Sequence, residues 1–455
     1  MPIRFAPGHG VLTAVSNPVS IINEFGINLQ SPHSHDMAES PIETRPSTPP
    51  HHPIYGVHMS HEAIRNAIAV LFPDATLTSI TSLASGRSYN NRLYFLKLGP
   101  QPSQEPEQEL VLKVNGRFFG ATKVQNEVAS LRILRAYCPE VPAPRVFAWS
   151  EDGRTAVVAP RDKGNFQTVS LPHADDGVKS PGWILMERVP GEPINVKDAG
   201  EETLKSIGSQ LADLVACWRT KVPAQRHCGN LLSHPSSSED TPADISLGPG
   251  PISRFDIRGL LGDGIPPGEP IPSNLELHKI RIQEKLRILE TSDTYAPNRD
   301  LASLLKDFVS AKLPILSGMR AANTTDQPQF IFTHFDLSPR NTLVSGSPPR
   351  ITGIVDFEFS GFFPPSDEFV NDYVDNGGDW PRPAYDAYLA RLESLEVATP
   401  AAGFEEGVWR CSHELGVLTD NIAPWWLPGG FGVEKLAASL VKCRGLVLGI
   451  LENIR

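Results

Sequence analysis

The chain has 455 residues, a length suited to about two or three domains. Hydrophobic residues make up 40% and charged residues 20%, enough for one or two sizeable cores and unlike a wholly disordered chain or a coiled coil. Lys plus Arg number 41 against 52 Asp plus Glu, and the resulting net charge of −11 argues against a general nucleic-acid binder while leaving room for a local pocket that takes a phosphorylated ligand.

Residues 1–58 are rich in Pro, Ser and His and keep neither a helical nor a strand period, so they read as a disordered leader. His33, His35, His51 and His52 lie there without carboxylates or Cys at ligand spacing, which favours disorder over a metal site. The stretch Val11–Ile22 is broken by Ser16, Asn17 and Pro18 before an apolar core forms, so no signal peptide is expected. The Pro count of 43, nearly twice the average usage of about 5%, implies long loops beside the cores.

Residues 59–190 read as a small β-rich lobe. Ser60 is placed to cap a short helix whose Ile64, Ala67, Ile68 and Leu71 follow the 3.6 period. Strand-like runs follow at 76–83, 92–97 and 110–114, a helix at 121–137, and further strands at 145–149 and 183–187. Short turns between successive strands predict an antiparallel sheet, and the polar 151–181 stretch reads as a long connection. From Pro190-Gly191 the pattern turns helical, and 191–455 reads as a larger, mainly helical lobe. Its helices are expected at 201–218, 275–289 and 301–316 and again beyond residue 360, with a β-rich block at 329–359. A Pro/Gly/Ser-rich insertion occupies 233–272, within which Arg254-Phe255-Asp256-Ile257 is a candidate for local docking.

Five scattered Cys with no CxxC spacing give neither a disulfide framework nor a zinc motif and fit a reducing compartment. No run of about 18 apolar residues occurs, so no membrane span is expected and the protein reads as cytoplasmic.

The block 332–344, Phe-Thr-His-Phe-Asp-Leu-Ser-Pro-Arg-Asn-Thr-Leu-Val, carries the sharpest chemistry. Its skeleton is His-x-Asp-x-x-x-x-Asn, and Asp356 follows in Ile354-Val355-Asp356-Phe357-Glu358. Phosphoryl transfer from a nucleotide needs a carboxylate to orient the acceptor hydroxyl, and hard oxygen ligands for Mg²⁺. Asp336, Asn341 and Asp356 supply that set, and the strands 342–344 and 351–355 would form a hairpin that brings the flanking ligands together.

This block resembles the catalytic and metal-binding motifs of the aminoglycoside phosphotransferase and choline kinase family, in the form Thr-His-Phe-Asp-Leu-Ser-Pro-Arg-Asn with Asp-Phe-Glu in place of Asp-Phe-Gly. The resemblance extends over roughly 75–455 apart from the insertion. It implies an α+β, two-lobed, protein-kinase-like fold: an ATP- and Mg²⁺-dependent phosphotransferase acting on a hydroxyl of a small molecule. In such sites a strand lysine holds the nucleotide phosphates and pairs with a Glu on the next helix. Lys113 in Leu-Val-Leu-Lys-Val and Glu127 on the 121–137 helix take those places. Ser85, Gly86 and Ser88 fall where the phosphate-covering loop belongs, although with one Gly the run also reads as an ordinary hairpin turn. Met186, Glu187 and Val189 resemble the hinge between lobes, with the main chain of Glu187 and Val189 facing adenine and Met186 behind it.

His334 is read as a brace of the loop, since no nucleophile accompanies it for an imidazole to serve. Arg340 either offsets charge beside Asp336 or contacts the transferred phosphate, with a plain loop arginine as the alternative. Glu358 is a candidate for assisting metal or acceptor. Downstream, Asp367, Glu368, Asp372, Asp375 and Asp379, with Trp380, Trp425 and Trp426, offer a wall for an amine-bearing acceptor, against the simpler reading of a solvated face and packed rings. Two rival readings remain: a non-catalytic nucleotide-binding or scaffold protein that retains the fold, and a protein Ser/Thr kinase, the latter disfavoured by the absence of Asp-Phe-Gly and Ala-Pro-Glu. No nucleic-acid or membrane partner is expected.

Overall fold

The computed structural model describes residues 53–454 except 84–87, 89, 100–107, 118–119, 160–165, 173–181, 234–254, 258–268, 270, 317–318, 320–329, 372–379, 405, 425–426 and 428–432. Helix α1 (His61–Leu71) opens the described chain; the Ser60 hydroxyl accepts the Ala63 amide, and Ile64, Ala67 and Ile68 are buried. Strands β1 (Leu77–Ser82), β2 (Asn91–Leu98) and β3 (Gln108–Asn115) follow, then helix α2 (Gly120–Tyr137), β4 (Val146–Ser150), β5 (Thr155–Val158), β6 (Gln167–Ser170) and β7 (Trp183–Glu187). They form one seven-stranded antiparallel sheet in the order β1-β2-β3-β7-β4-β5-β6.

Strand β3 lies inside this sheet, pairing Lys113 with Leu93 on one side and Ile184 on the other. Period two sends Leu110, Leu112 and Val114 to the outer face, where they pack with Ile64, Ile68 and Phe72. Lys113 is left on the face that looks toward α2. That helix buries Lys123, Asn126, Glu127 and Ser130 together with Val124, Val128 and Leu131, a polar load that a purely structural helix would not carry.

The second lobe begins at β8 (Glu192–Pro193) and α3 (Glu201–Lys221). A hairpin of β9 (Gly229–Ser233) and β10 (Phe255–Ile257) comes next, then α4 (Asn274–Thr291) and α5 (Leu301–Asp307). Strands β11 (Ile331–Thr333), β12 (Thr342–Ser345), β13 (Arg350–Ile354) and β14 (Gly361–Phe363) precede α6 (Asp367–Asn371), α7 (Arg382–Ser394), α8 (Glu406–Ile422) and α9 (Val433–Asn453). Two small sheets, β10-β9-β14-β11 and β13-β12-β8, sit among these helices. One continuous apolar core joins α2 and β7 to α3, β11, β14 and α7, so the two lobes share packing behind the cleft. A separate core holds α4, α5, α8 and α9 together.

Several expectations need correction. The 151–181 connection contains the β5–β6 hairpin, which extends the sheet; its Thr155–Val158 and Gln167–Ser170 runs, four residues each, are too brief to stand out in sequence. The 301–316 helix stops at Asp307 and continues as a π turn (308–312) and a 3₁₀ turn (313–315), as expected where Pro314 lacks the amide an α-helix needs. The insertion is rooted by a strand pair, Phe255–Ile257 against Ser233–Leu231. Residues 1–52 of the leader lie outside the described chain, but its last residues are docked: Ile54 and Val57 are buried, and the Pro53 carbonyl accepts the Arg117 amide. Among the described residues no helix is long and apolar enough to cross a membrane.

Two predictions come from the packing. On α3, Gly208 lies so close to α7 that a Cβ would collide with the Ala384 carbonyl. Gly208→Ala is therefore expected to cost about 1–3 kcal/mol or more in denaturant unfolding, despite the better helix propensity of Ala. Glu368 on α6 is fully buried, and burial pushes its carboxyl up to about 7 against the pull of Arg219 and the Trp218 indole, with Asp367 adding to the rise. A raised carboxyl favours the folded state below its unfolded value of 4.5 and penalises it as pH climbs through 7. At ~1.4 kcal/mol per pH unit, wild type should lose about 3 kcal/mol relative to Glu368→Gln between pH 4.5 and 8. Melting curves of both proteins at the two pH values check this, and a constant difference would show that Glu368 does not titrate in that window.

Candidate active site

Three segments meet between the lobes. The first is Lys113 on β3. Its ammonium lies 2.6 Å from Glu127 Oε2, 2.5 Å from Asp356 Oδ1 and 3.1 Å from Glu358 Oε2. Burial works to lower the lysine pKa, but the three carboxylates outweigh it and hold the ammonium well above its ordinary value. Glu127, on α2, is pushed up to about 7 by burial and by its acidic neighbours, against the attraction of Lys113. Oxygens of Glu127, Asp356 and Glu358 lie within 4.8 Å of one another, a spacing that also suits a metal ion. The ammonium among them makes this cluster the seat of the lysine.

The second segment is the loop between β11 and β12. His334 is fully buried, its Nε2 donating to the Val355 carbonyl (3.1 Å) and its Nδ1 accepting the Asp336 amide (3.2 Å). These two bonds fix the Nε2-protonated neutral tautomer. Burial and the nearby Lys113 lower the imidazole to about 3, with the Val355 bond working the other way. Ser360 Oγ donates to the His334 carbonyl and the Trp380 indole to that of Leu337, closing the loop from behind. Phe335 carries φ 73°, a left-handed geometry that is rare for an aromatic residue, with its ring tilted on Phe363 at 4.7 Å. This turn delivers Asp336, whose side chain is 18% exposed and whose Oδ1 accepts from Arg340 at 3.0 Å. Burial pushes the Asp336 carboxyl up to about 7; Arg340 opposes the rise, while Asp356 and Glu358 add to it.

The third segment follows the β12–β13 hairpin, paired from Thr342↔Ile354 to Ser345↔Arg350. Asn341 Nδ2 donates to the Asp336 carbonyl (2.8 Å), and its own carbonyl accepts the Val355 amide (3.0 Å). Asp356 comes next in a left-handed conformation, φ 69°. Its side chain is 31% exposed, whereas that of Glu358 is 1% exposed. Asn341, held through its amide nitrogen, keeps an amide oxygen to offer, and Asp356 adds carboxylate oxygens. This all-oxygen donor set fits a hard dication such as Mg²⁺.

Lys113, Glu127, His334, Asp336, Arg340, Asn341, Asp356 and Glu358 thus converge as the motif order suggested. Met186 is buried on β7. The Glu187 amide is engaged by the Arg145 carbonyl at 2.8 Å, so an adenine bound there would use the Glu187 carbonyl rather than its N–H. Val189 is half-buried beyond the strand, and Ser88 is half-buried ahead of β2; Ser85 and Gly86 lie outside the described residues. Glu358 does not point to an open acceptor space: Asn90, Asn91, Lys113 and Lys123 enclose it. Asp367 pairs with Arg281 at 3.1 Å, and Trp380 is buried, so these residues form no acidic or aromatic wall. Asp372, Asp375, Asp379, Trp425 and Trp426 lie outside the described residues.

Sequence reasoning missed Asn90, Asn91, Lys123 and Asn126. Asn126 donates to the Glu358 carbonyl and accepts the Leu231 amide, binding α2 to β9. The available signal was a helix carrying Lys123, Asn126, Glu127 and Ser130 among apolar residues at core spacing.

Two lobes of this kind, with lysine and carboxylates meeting in the cleft, define a small-molecule kinase of the aminoglycoside phosphotransferase type. The chain belongs to the phosphotransferase enzyme family (APH), whose profile matches residues 79–404. Solved structures with a similar chain path include ADP-bound aminoglycoside phosphotransferase APH(2'')-Ib, at 11% identity over 86% of this chain and 99% of that one, TM-score 0.49. The streptomycin–ATP complex of APH(2'')-IIa follows at 13%, 86% and 99%, TM-score 0.47. Macrolide 2'-phosphotransferase MphH from Brachybacterium faecium gives 13%, 87% and 99%, TM-score 0.39. No curated protein matches the chain in sequence.

The His334 geometry gives a spectroscopic expectation. Its ring resonances should stay those of the neutral Nε2–H tautomer from pH 5 to 8 in a histidine-labelled sample. Titration near the ordinary value of 6.5 would mean that the ring is not held as described.

Proposed function

We propose that the protein transfers the γ-phosphate of ATP, with Mg²⁺, to a hydroxyl group of a small molecule. The supporting observation is the coupling of Asp336 to Asp356 through one bonded chain, from the Asp336 amide through His334 to the Val355 carbonyl, with Asn341 between them. In this reading the 59–190 lobe binds nucleotide and the 191–455 lobe carries the acceptor side. Lys113 holds the α- and β-phosphates, and Glu127 keeps it in place. The main chain at Glu187 and Val189 receives adenine in front of Met186, and Ser85, Gly86 and Ser88 approach the phosphates. Asn341 and Asp356 hold Mg²⁺, which would neutralise phosphate charge when bound.

Asp336 orients the acceptor hydroxyl and takes its proton as the phosphoryl group leaves ATP. A carboxyl raised to about 7 is a better proton acceptor than an ordinary aspartate at neutral pH. Arg340, paired with Asp336 and half-exposed, would contact the transferred phosphate in this reading. Catalysis is then mostly positioning and charge neutralisation. The chain runs from Glu358 directly into β14, whose Gly361 pairs with Thr333, so among the described residues no activation segment of the kind a protein kinase uses follows Glu358.

Two measurements check this reading. ATP at about 100 Kd should stabilise the fold by roughly 2.7 kcal/mol, a rise of several degrees in melting temperature. That rise should require Mg²⁺ and shrink in Asp356→Asn; its absence with every nucleotide would point to a scaffold. In a screen of hydroxylated acceptors, Asp336→Ala should lower turnover by about 10²–10⁴ while still binding ATP, and undiminished turnover would remove Asp336 from the chemistry.

A further inference from the structure

Glu358 is engaged by four side chains. Asn90 Nδ2 donates to Oε1 at 2.8 Å and Asn91 Nδ2 to Oε2 at 2.6 Å. Lys113 and Lys123 place their ammonium groups 3.1 and 3.4 Å from the same Oε2. The Glu358 main-chain carbonyl accepts from Asn126 Nδ2. Lys123 also donates to Asn91 Oδ1 (2.8 Å) and to the Asn90 carbonyl (3.2 Å). One carboxylate from the second lobe thereby holds the residue just ahead of β2, the first residue of β2, the lysine of β3 and a lysine of α2.

The three carboxylates on Lys113 are not equivalent. Glu127 and Glu358 are almost wholly buried, while Asp356 is 31% exposed at its side chain and belongs to the dication-holding pair proposed above. Once Asp356 gives its oxygens to a cation, its hold on the ammonium weakens and the lysine keeps two anionic contacts, Glu127 from α2 and Glu358 from the Asp-Phe-Glu run. We propose that Glu358 is a positioning residue for nucleotide binding: it and Glu127 clamp Lys113 from two sides, so that the lysine stays aimed at the phosphates when Asp356 is engaged elsewhere. Through Asn90, Asn91 and Lys123 it also fixes the start of β2. The proposal rests on reading Lys113 as the phosphate-binding lysine.

A buried carboxylate that merely crosslinked the lobes would change stability and leave the nucleotide affinity of the folded protein alone. Positioning changes that affinity. The test uses the full chain at a temperature where each variant is folded by circular dichroism, and titrates Mg²⁺ with ADP and with a non-hydrolysable ATP analogue by calorimetry. Glu358→Gln keeps the shape and removes the charge; it should raise Kd for both nucleotides at least tenfold, and KM for ATP likewise, with a smaller change in kcat. Glu358→Asp keeps the charge and should recover to within a few-fold of wild type.

Glu358→Gln leaves Lys123 buried without its carboxylate and is at risk of not folding, so the double variant Lys123→Met/Glu358→Gln accompanies it. That variant should recover stability while affinity stays low, which supports the clamp. Recovery of both stability and wild-type affinity would mean that Glu358 serves Lys123 alone, and the proposal fails. Wild-type affinity in folded Glu358→Gln overturns it equally. Absence of nucleotide binding by the wild type would instead bring down the proposed function, and with it the basis of this inference.

Discussion

A single buried ammonium group organises this molecule. Lys113 sits on an interior strand, where an uncompensated charge would cost several kcal/mol, and three carboxylates from two lobes compensate it. Each partner reaches it by a different route: Glu127 along helix α2, Asp356 through a left-handed turn, Glu358 from the short 3₁₀ turn that follows. The charge demand of one side chain thus ties the register of β3, the rotation of α2 and the path of the 355–360 segment to one another. The surplus of negative charge that remains is what an incoming dication would offset.

The same economy appears around the loop aspartate. His334 contributes no charge; held neutral between an amide and a carbonyl, it is a rigid spacer that sets how far Asp336 stands from the start of the Asp-Phe-Glu run. Left-handed backbone at Phe335 and at Asp356 costs of order 1–3 kcal/mol at each position and persists because the flanking strands leave no alternative path. The fold spends some of the stability of its shared core on two strained turns, and both strained residues border the groups that would meet substrate.

Much of this was legible in the sequence where a residue type and a spacing had one plausible chemical use. The order of Lys113, Glu127, Asp336, Asn341 and Asp356, and the hairpin between the last two, could be written down from residues 110–127 and 332–358 alone. Antiparallel strands with apolar alternation were equally plain, Trp183–Glu187 to the residue. Long-range polar partnerships stayed hidden. Nothing local says that Asn90 and Asn91 find Glu358 some 267 residues away, or that Asn126 finds Leu231. Glu358 read as a metal or acceptor residue because its neighbours do; only the fold shows it enclosed by amides and ammonium groups. The β5–β6 hairpin escaped because its strands gain their order from the edge of an existing sheet rather than from hydrophobic pattern.

The hairpin of β9 and β10 has a bearing on how this chain can vary. Its stem is fixed at both ends: the Leu231 amide donates to Asn126 Oδ1 on α2, Cys228 bridges to Ile271, and Gly229 and Asn230 pair with β14. In sequence, the Pro/Gly/Ser-rich residues 234–254 connect the two strands of that stem. Loop-closure entropy grows only logarithmically, so doubling such a segment costs about 0.6 kcal/mol, whereas a single residue added inside the stem would shift the register that supports α2. Drift in length is therefore nearly free on one side of Ser233 and heavily constrained on the other.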